Sequence, residues 1–345
     1  MLESRVDIYG SWELGLKYRG FGNTGWRVSE IAFGGWQLGG TWGEVDDSDS
    51  VRTLLHAYDQ GINFVDTAEL YGEGRSESVI GRSLKEWTGS KIYVATKVRP
   101  IRWPDPDENA PDMRGRYPSW YLRETIEGSL RRLGVERLDL LQLHCWAPGL
   151  ATSLDWLETI NELRLEGKID QVGVSLRDYR PDEGIIAADL SLVASVQVIF
   201  NIFEQRPATD GLFDACAQTN TAAIARVPMD SGSLSGLWTE ETPATWMENS
   251  VQAQLFGGDR FTETLQRIEQ LKEVVKPYYP SLAEAAIRYS LSSPEVSSTI
   301  PGMSNARSVD RNVAFSDGEP FPEELTLKIA EFNWPRNYYK ISSPA

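Results

Sequence analysis

The chain has 345 residues, 41% of them hydrophobic, with a formal net charge of −16 and a pI of about 4.7. That length accommodates one large barrel or two ordinary domains, and the negative charge disfavours nucleic acid and anionic membrane surfaces as general partners. No apolar window long enough to span a membrane occurs, and residues 1–20 contain neither a basic nor an apolar leader segment, so a cytoplasmic location without a membrane partner is expected. The two cysteines, Cys145 and Cys216, read as buried thiols rather than a disulfide or a metal site.

In chain order, short β-branched runs alternate with longer helical patterns. Strands are predicted over 28–33 (VSEIAF), 62–67 (INFVDT), 92–98 (IYVATKV), 138–144 (LDLLQLH), 169–175 (IDQVGVS), 195–201 (SVQVIFN), 222–227 (AAIARV) and 296–300 (VSSTI). Helices are predicted over 48–60, 76–87, 118–133, 153–166 and 305–315, with two more, 262–275 and 281–292, between the seventh and eighth strands. Eight β/α units in a chain of this length predict a closed (β/α)8 TIM barrel, one domain over 1–345 with an N-terminal extension (1–16) and a C-terminal tail (317–345). An open doubly wound sheet is the alternative, but the first strand-to-helix turn, GGWQLGGTWGE, lacks a GxGxxG opening a helix. Three connections are long: 99–117, 228–261 and the tail after 317. The first two are expected on the C-terminal face, where barrel enzymes keep their sites, and the tail, with Trp334, Tyr338 and Tyr339, is expected to fold over the same face.

The strand ends carry the chemistry. Asp66 closes an apolar run, a costly place for an unpaired carboxylate. Lys97, near the end of VATKV, is the only lysine between Lys91 and Lys168 and is expected to be its buried partner. His144 ends LLQLH, and Tyr71 lies in the loop just beyond the second strand. Four polar groups thus converge on one mouth. A phenol has a reference pKa of about 10; beside a lysine cation it is expected to be lowered and to pass a proton to a carbonyl oxygen that His144 binds. The chain has no nucleophile elbow, HExxH or Walker loop, so hydrolytic, zinc and P-loop chemistry is not expected, and the electrons of a reduction must come from a bound cofactor. His56, on the first helix, reads as structural.

The strings KYRGFGNTGWRVSEIAFGGWQLGG, GINFVDTAELYGEGRSESVIGRSL, VATKV, RLDLLQLH, GVS, VQVIFN and IPGMSNARSVDRNV, in that order from Lys17 to Val313, resemble the aldo-keto reductase family. The resemblance implies a barrel without a Rossmann domain, an extended NADPH with NADH as an open alternative, and a small-molecule carbonyl substrate. It implies the tetrad Asp66, Tyr71, Lys97 and His144, with Tyr71 as proton donor. Cofactor contacts are implied at Gly35 and Trp36 after strand one, at Ser175, and at Gln197 against the nicotinamide carboxamide. Others are implied at Arg226, Val227, Pro228, Asp230 and Ser231 in a pyrophosphate loop, and at Gly302, Ser304, Arg307 and Asn312 in an adenosine-phosphate loop.

The chain departs from the family pattern in three places. Arg226 stands where many members place an aromatic ring against the nicotinamide, although its planar guanidinium can also stack. Leu237 replaces a frequent lysine, and Ser308, beside Arg307, replaces the arginine or glutamine found four residues before Asn312. Trp36, Trp103 and Trp146, with Trp42, are candidates for an aromatic substrate wall suited to apolar aldehydes or the C–H faces of sugars. Two further functions share these residues: a sugar or alcohol dehydrogenase working in reverse, and a cofactor-binding regulatory subunit resembling the family's channel β-subunits. Oligomeric state is not legible in the sequence.

Overall fold

The computed structural model describes residues 15–40, 46–106, 108–153, 155–247 and 250–336; Trp42, Tyr338 and Tyr339 lie outside them. Among the described residues ten strands form two sheets. The smaller is an antiparallel hairpin of β1 (Tyr18–Gly20) and β2 (Arg27–Ser29). The larger runs in sequence order through eight parallel strands: β3 (Phe33–Gly34), β4 (Phe64–Asp66), β5 (Tyr93–Val98), β6 (Leu138–Trp146), β7 (Ile169–Leu176), β8 (Ser195–Ile199), β9 (Ala222–Arg226) and β10 (Val296–Ile300). Ile31 bridges Thr299 of β10; Ala32 N donates to Thr299 O at 2.8 Å and Thr299 N donates to Glu30 O at 2.7 Å, which closes the sheet into a barrel. Strands such as YVATKV and LDLLQLHCW are buried on both faces, which is why they read as near-continuous apolar runs.

The expected first strand, 28–33, divides between two sheets. Ser29 N donates to Asn63 Oδ1 at 2.7 Å and Ser29 Oγ donates to Ile31 O at 2.7 Å, which turns the chain out of the hairpin and into the barrel wall. The hairpin plugs the N-terminal end of the barrel. Phe21, Trp26 and Val28 pack against Phe64, Ala95, Leu140, Ala222 and Ile224, with Phe21 stacked 5.5 Å from Trp26 and Trp26 stacked 4.6 Å from Tyr93.

Helices α1 (Asp47–Asp59), α2 (Arg75–Glu86), α3 (Ser119–Leu133) and α4 (Asp155–Leu165) fall within a few residues of their predicted spans. Three short helices follow: α5 (Gly184–Asp189), α6 (Arg206–Thr209) and α7 (Leu212–Thr219). In the long connection after β9 and beyond it lie α8 (Val251–Phe256), α9 (Asp259–Val275) and α10 (Leu282–Ser290), and α11 (Ala306–Val313) follows β10. Side chains cap several of these: Asp46 accepts from Asp49 N, Ser281 from Glu284 N, and Asn305 from Ser308 N. The tail forms a helix, α12 (Glu323–Ala330), which buries Leu325 and Ile329 and packs beside α9. Beyond α12, Trp334 N donates to Phe203 O at 2.8 Å, and Arg336 pairs with Asp230 in the loop after β9. Leu16, in the expected extension, is buried in the core.

Candidate active site

Asp66 is the last residue of β4, Lys97 sits one from the end of β5, and His144 two from the end of β6. Lys97 is fully buried and Asp66 is 4% exposed. Lys97 Nζ donates to Asp66 Oδ2 at 2.5 Å, to Thr67 O at 2.8 Å and to Tyr71 Oη at 3.2 Å, so all three ammonium donors are used. The other carboxylate oxygen, Asp66 Oδ1, accepts from Gln197 Nε2 at 2.7 Å and from Gln142 Nε2 at 3.2 Å. Gln142 was not singled out in the sequence; its one signal is a lone amide inside LLQLH. Gln197 thus gives one amide N–H to the carboxylate while it also lines the cavity.

The protonation states follow from burial. Desolvation pushes the Tyr71 phenol above its ordinary value, and Lys97 offsets only some of that rise. The expected lowering by Lys97 is present but outweighed, and Tyr71 is a protonated phenol at neutral pH. Burial by itself depresses Lys97, but the Asp66 charge, with smaller contributions from Tyr71, more than reverses this and keeps it an ammonium. His144 is held well below the usual histidine range by burial, reinforced by Lys97, Arg226 and Arg99, and is therefore neutral. Its Nδ1 has no hydrogen-bond partner among the described residues, and the ring is held edge-on by Tyr71 (5.9 Å) and Trp103 (5.7 Å).

Trp36 stacks 6.3 Å from Tyr71, a contact that depends on two glycines. A Cβ on Gly39 would lie 2.7 Å from the Tyr71 backbone, and one on Gly72, whose φ is 63°, would lie 2.5 Å from Gly39 O. Together these residues wall a cavity of about 980 Å³. It extends from Trp36, Tyr71, Trp103 and His144 past Ser175, Gln197 and Arg226 to Val227, Pro228, Ser231 and Gly302.

Several expected residues lie outside the cavity lining or are tied up at its edge. Trp146 is fully buried behind the wall, donating Nε1 to Glu183 O at 2.8 Å and packing on Trp156, because the end of β6 turns it outward from the barrel axis. Asp230 is also buried, accepting from Ser233 Oγ and from Arg336 Nη2. Gly35 underlies the mouth, its N donating to Asp66 O at 2.7 Å. Asn312 Nδ2 donates to Gly302 O at 3.2 Å, supporting the loop from behind. Ser304 and Arg307 are exposed beyond the cavity lining, on the turn that enters α11. Ser308 is spent in a capping box with Asn305. Arg226 lines the cavity with its guanidinium tied to Asp178 Oδ1 at 2.6 Å and Leu176 O at 3.1 Å.

The segment after β9 is strained. Val227, Asp230 and Ser231 have φ of 57°, 46° and 54°, followed by Gly232 at 105°. A β-branched residue in this region costs about 1–3 kcal/mol, and such strain gathers at ligand clamps.

A barrel mouth that sets a buried lysine–carboxylate pair behind a cavity-facing phenol, beside a neutral imidazole, defines an oxidoreductase that handles carbonyls. The aldo/keto reductase family model matches residues 30–333, and the chain belongs to that family of NAD(P)H-dependent oxidoreductases. It is 29% identical over 282 residues to the aldo-keto reductase YhdN of Bacillus subtilis (strain 168), covering 81% of this chain and 82% of that one. A probable voltage-gated potassium channel subunit beta of Oryza sativa subsp. japonica is 26% identical over 330 residues, 92% and 95% of the two chains. The solved glycerol dehydrogenase of Gluconobacter oxydans matches with a TM-score of 0.72 at 27% identity, covering 89% and 92%.

The residues present fit a nicotinamide dinucleotide. The cavity reaches from the tetrad to a strained loop, and two of its lining side chains carry buried polar atoms, Gln37 Oε1 and His144 Nδ1, without partners among the described residues.

Proposed function

We propose that the protein reduces an aldehyde, ketone or sugar carbonyl to the alcohol at the expense of NADPH, with Tyr71 as proton donor. The observation carrying this reading is the 3.2 Å donation from buried Lys97 to Tyr71 Oη at the cavity wall. Bound NADPH supplies the hydride. Tyr71, kept protonated by burial, gives its proton to the carbonyl oxygen. Lys97 stabilises the phenolate left behind, and neutral His144 donates a hydrogen bond to the same oxygen. The acid form of Tyr71 is the one present at neutral pH, the form that the reductive direction consumes.

NADPH is favoured over NADH by Arg307 in the first turn of α11 and Arg311 a turn later, neither ion-paired to a carboxylate among the described residues. In a chain of net charge −16 they make a local positive patch, and guanidinium groups suit a 2′-phosphate.

Tyr71→Phe is the direct test. It should leave NADPH binding intact and abolish reduction across a panel of aldehydes, ketones and sugars. Unchanged turnover would exclude Tyr71 as the acid. A parent protein that binds NADPH but turns over none of the panel would favour the regulatory-subunit reading, which the similarity to a channel subunit supports.

A further inference from the structure

Arginines hold the long connection after β5 in place across the mouth. Arg177, the first residue beyond β7, is 7% exposed, and all three nitrogens of its guanidinium are committed. Nε donates to Glu183 Oε2 at 2.8 Å, and Nη2 donates to Glu183 Oε1. Nη1 donates to the backbone oxygens of Glu108 at 2.9 Å, Pro106 at 3.4 Å and Asp105 at 3.5 Å. Arg180 adds a donation from Nη1 to Asn109 Oδ1 at 2.9 Å. Within the loop, buried Arg116 donates to Asp112 O at 2.6 Å and to Arg102 O at 2.7 Å. Behind Arg177, the Glu183 backbone oxygen accepts from Trp146 Nε1. One line of contacts therefore runs from Trp146 through Glu183 and Arg177 into the loop that carries Trp103 against His144.

We propose that Arg177 is a positioning residue that fixes the 99–117 loop as a standing wall of the cavity, and that this wall sets the size of the carbonyl admitted. The inference rests on the carbonyl-reduction reading and names the residue behind its selectivity. Loop oxygens ordinarily turn to water; here three of them converge on one buried cation, and charge-assisted bonds are about twice as strong as neutral ones. Releasing Arg177 would also leave Glu183, itself 2% exposed, with only the longer Arg180 Nη1 contact at 3.6 Å to offset its buried charge. The wall is thus in place before any substrate arrives.

Two variants test this. Arg177→Lys keeps a charge for Glu183 but loses the planar fork. Arg177→Met with Glu183→Gln removes both charges, so that neither is stranded. Each is compared with the parent for the rate of tryptic cleavage after Arg102, and for the ratio of kcat/KM between propanal and benzaldehyde, with KM and kcat resolved. Cleavage at least tenfold faster, with the small-to-bulky ratio changed at least tenfold through KM, is the expected result. Unchanged cleavage in both variants, or faster cleavage with an unchanged ratio, overturns the proposal. If the double variant does not fold, Arg177→Lys decides. A parent that reduces no carbonyl sinks the underlying reading, while the cleavage comparison still decides whether Arg177 holds the wall.

Discussion

Replacing Lys97 by Met keeps the bulk of the side chain and deletes its charge. Asp66, 4% exposed, then loses the ammonium from Oδ2 but keeps the two amide donors on Oδ1. Breaking a buried ion pair costs about 3–5 kcal/mol. Because hydrogen bonds to a charged group each contribute roughly 1.5–3 kcal/mol, Gln142 and Gln197 place the loss at the lower end, about 3 kcal/mol. At roughly 2.1 cal/mol/K per residue, a chain of this length unfolds with an entropy of about 0.7 kcal/mol/K, so the melting temperature should fall by about 4 °C. Adding Asp66→Asn removes the stranded charge and leaves an amide oxygen to accept from both glutamines. The double variant should regain at least half of that loss and stay inactive. Thermal melts of parent, both single variants and the double variant close the cycle. Additive changes would refute the coupling of Asp66 with Lys97.

Other consequences are as open to measurement. Arg307→Ala should weaken NADPH by about 1.5–3 kcal/mol, with little effect on NADH, in paired fluorescence titrations; equal losses would place the selectivity elsewhere. His144 is held well below its unfolded value of about 6.5, so as pH falls below 6.5 the unfolded chain takes up a proton that the folded ring refuses, and stability drops. Because the slope approaches about 1.4 kcal/mol per pH unit only once the unfolded histidine is mostly protonated, the stability lost between pH 6.5 and 5 should be smaller in His144→Asn by up to about 1.5 kcal/mol, and parallel melting curves would contradict a buried neutral ring. Val227→Gly should relieve the left-handed strain and raise the melting temperature by about 1 °C after the entropic cost of glycine, and a fall would place the strain elsewhere.

The sequence was most legible where a single strand carries the information. Asp66, Lys97 and His144 each end an apolar run, so the barrel hypothesis alone brings them together, and their contacts follow. Contacts across the barrel axis were hidden. Gln142 and Gln197 reach Asp66 over separations of 76 and 131 residues, and nothing local to either amide announces its acceptor. The outward turn of Trp146 depends on the pleat at the end of β6, where the register with β7 shifts between Leu143 and Trp146. The burial of Asp230 was hidden for a similar reason: its partner, Arg336, lies 106 residues away in the tail. The run VSEIAF shows a strand but not which sheet it joins, because a period of two is common to a barrel wall and to the hairpin that stoppers it.

That hairpin closes the end of the barrel away from the site. At the N-terminal end of the barrel, Phe64, Ala95 and Leu140 pack with the plugging rings of Phe21 and Trp26 as an apolar floor. Lys97 contacts Asp66, Thr67 O and, toward the cavity, Tyr71. On the proposed mechanism, a phenolate formed at Tyr71, which faces the cavity, recovers its proton by way of the same mouth through which the alcohol leaves. Recharging the acid and clearing the product share one exit, so a bulky or tightly held alcohol would slow turnover twice, once by occupying the pocket and once by keeping the tyrosine out of contact with solvent.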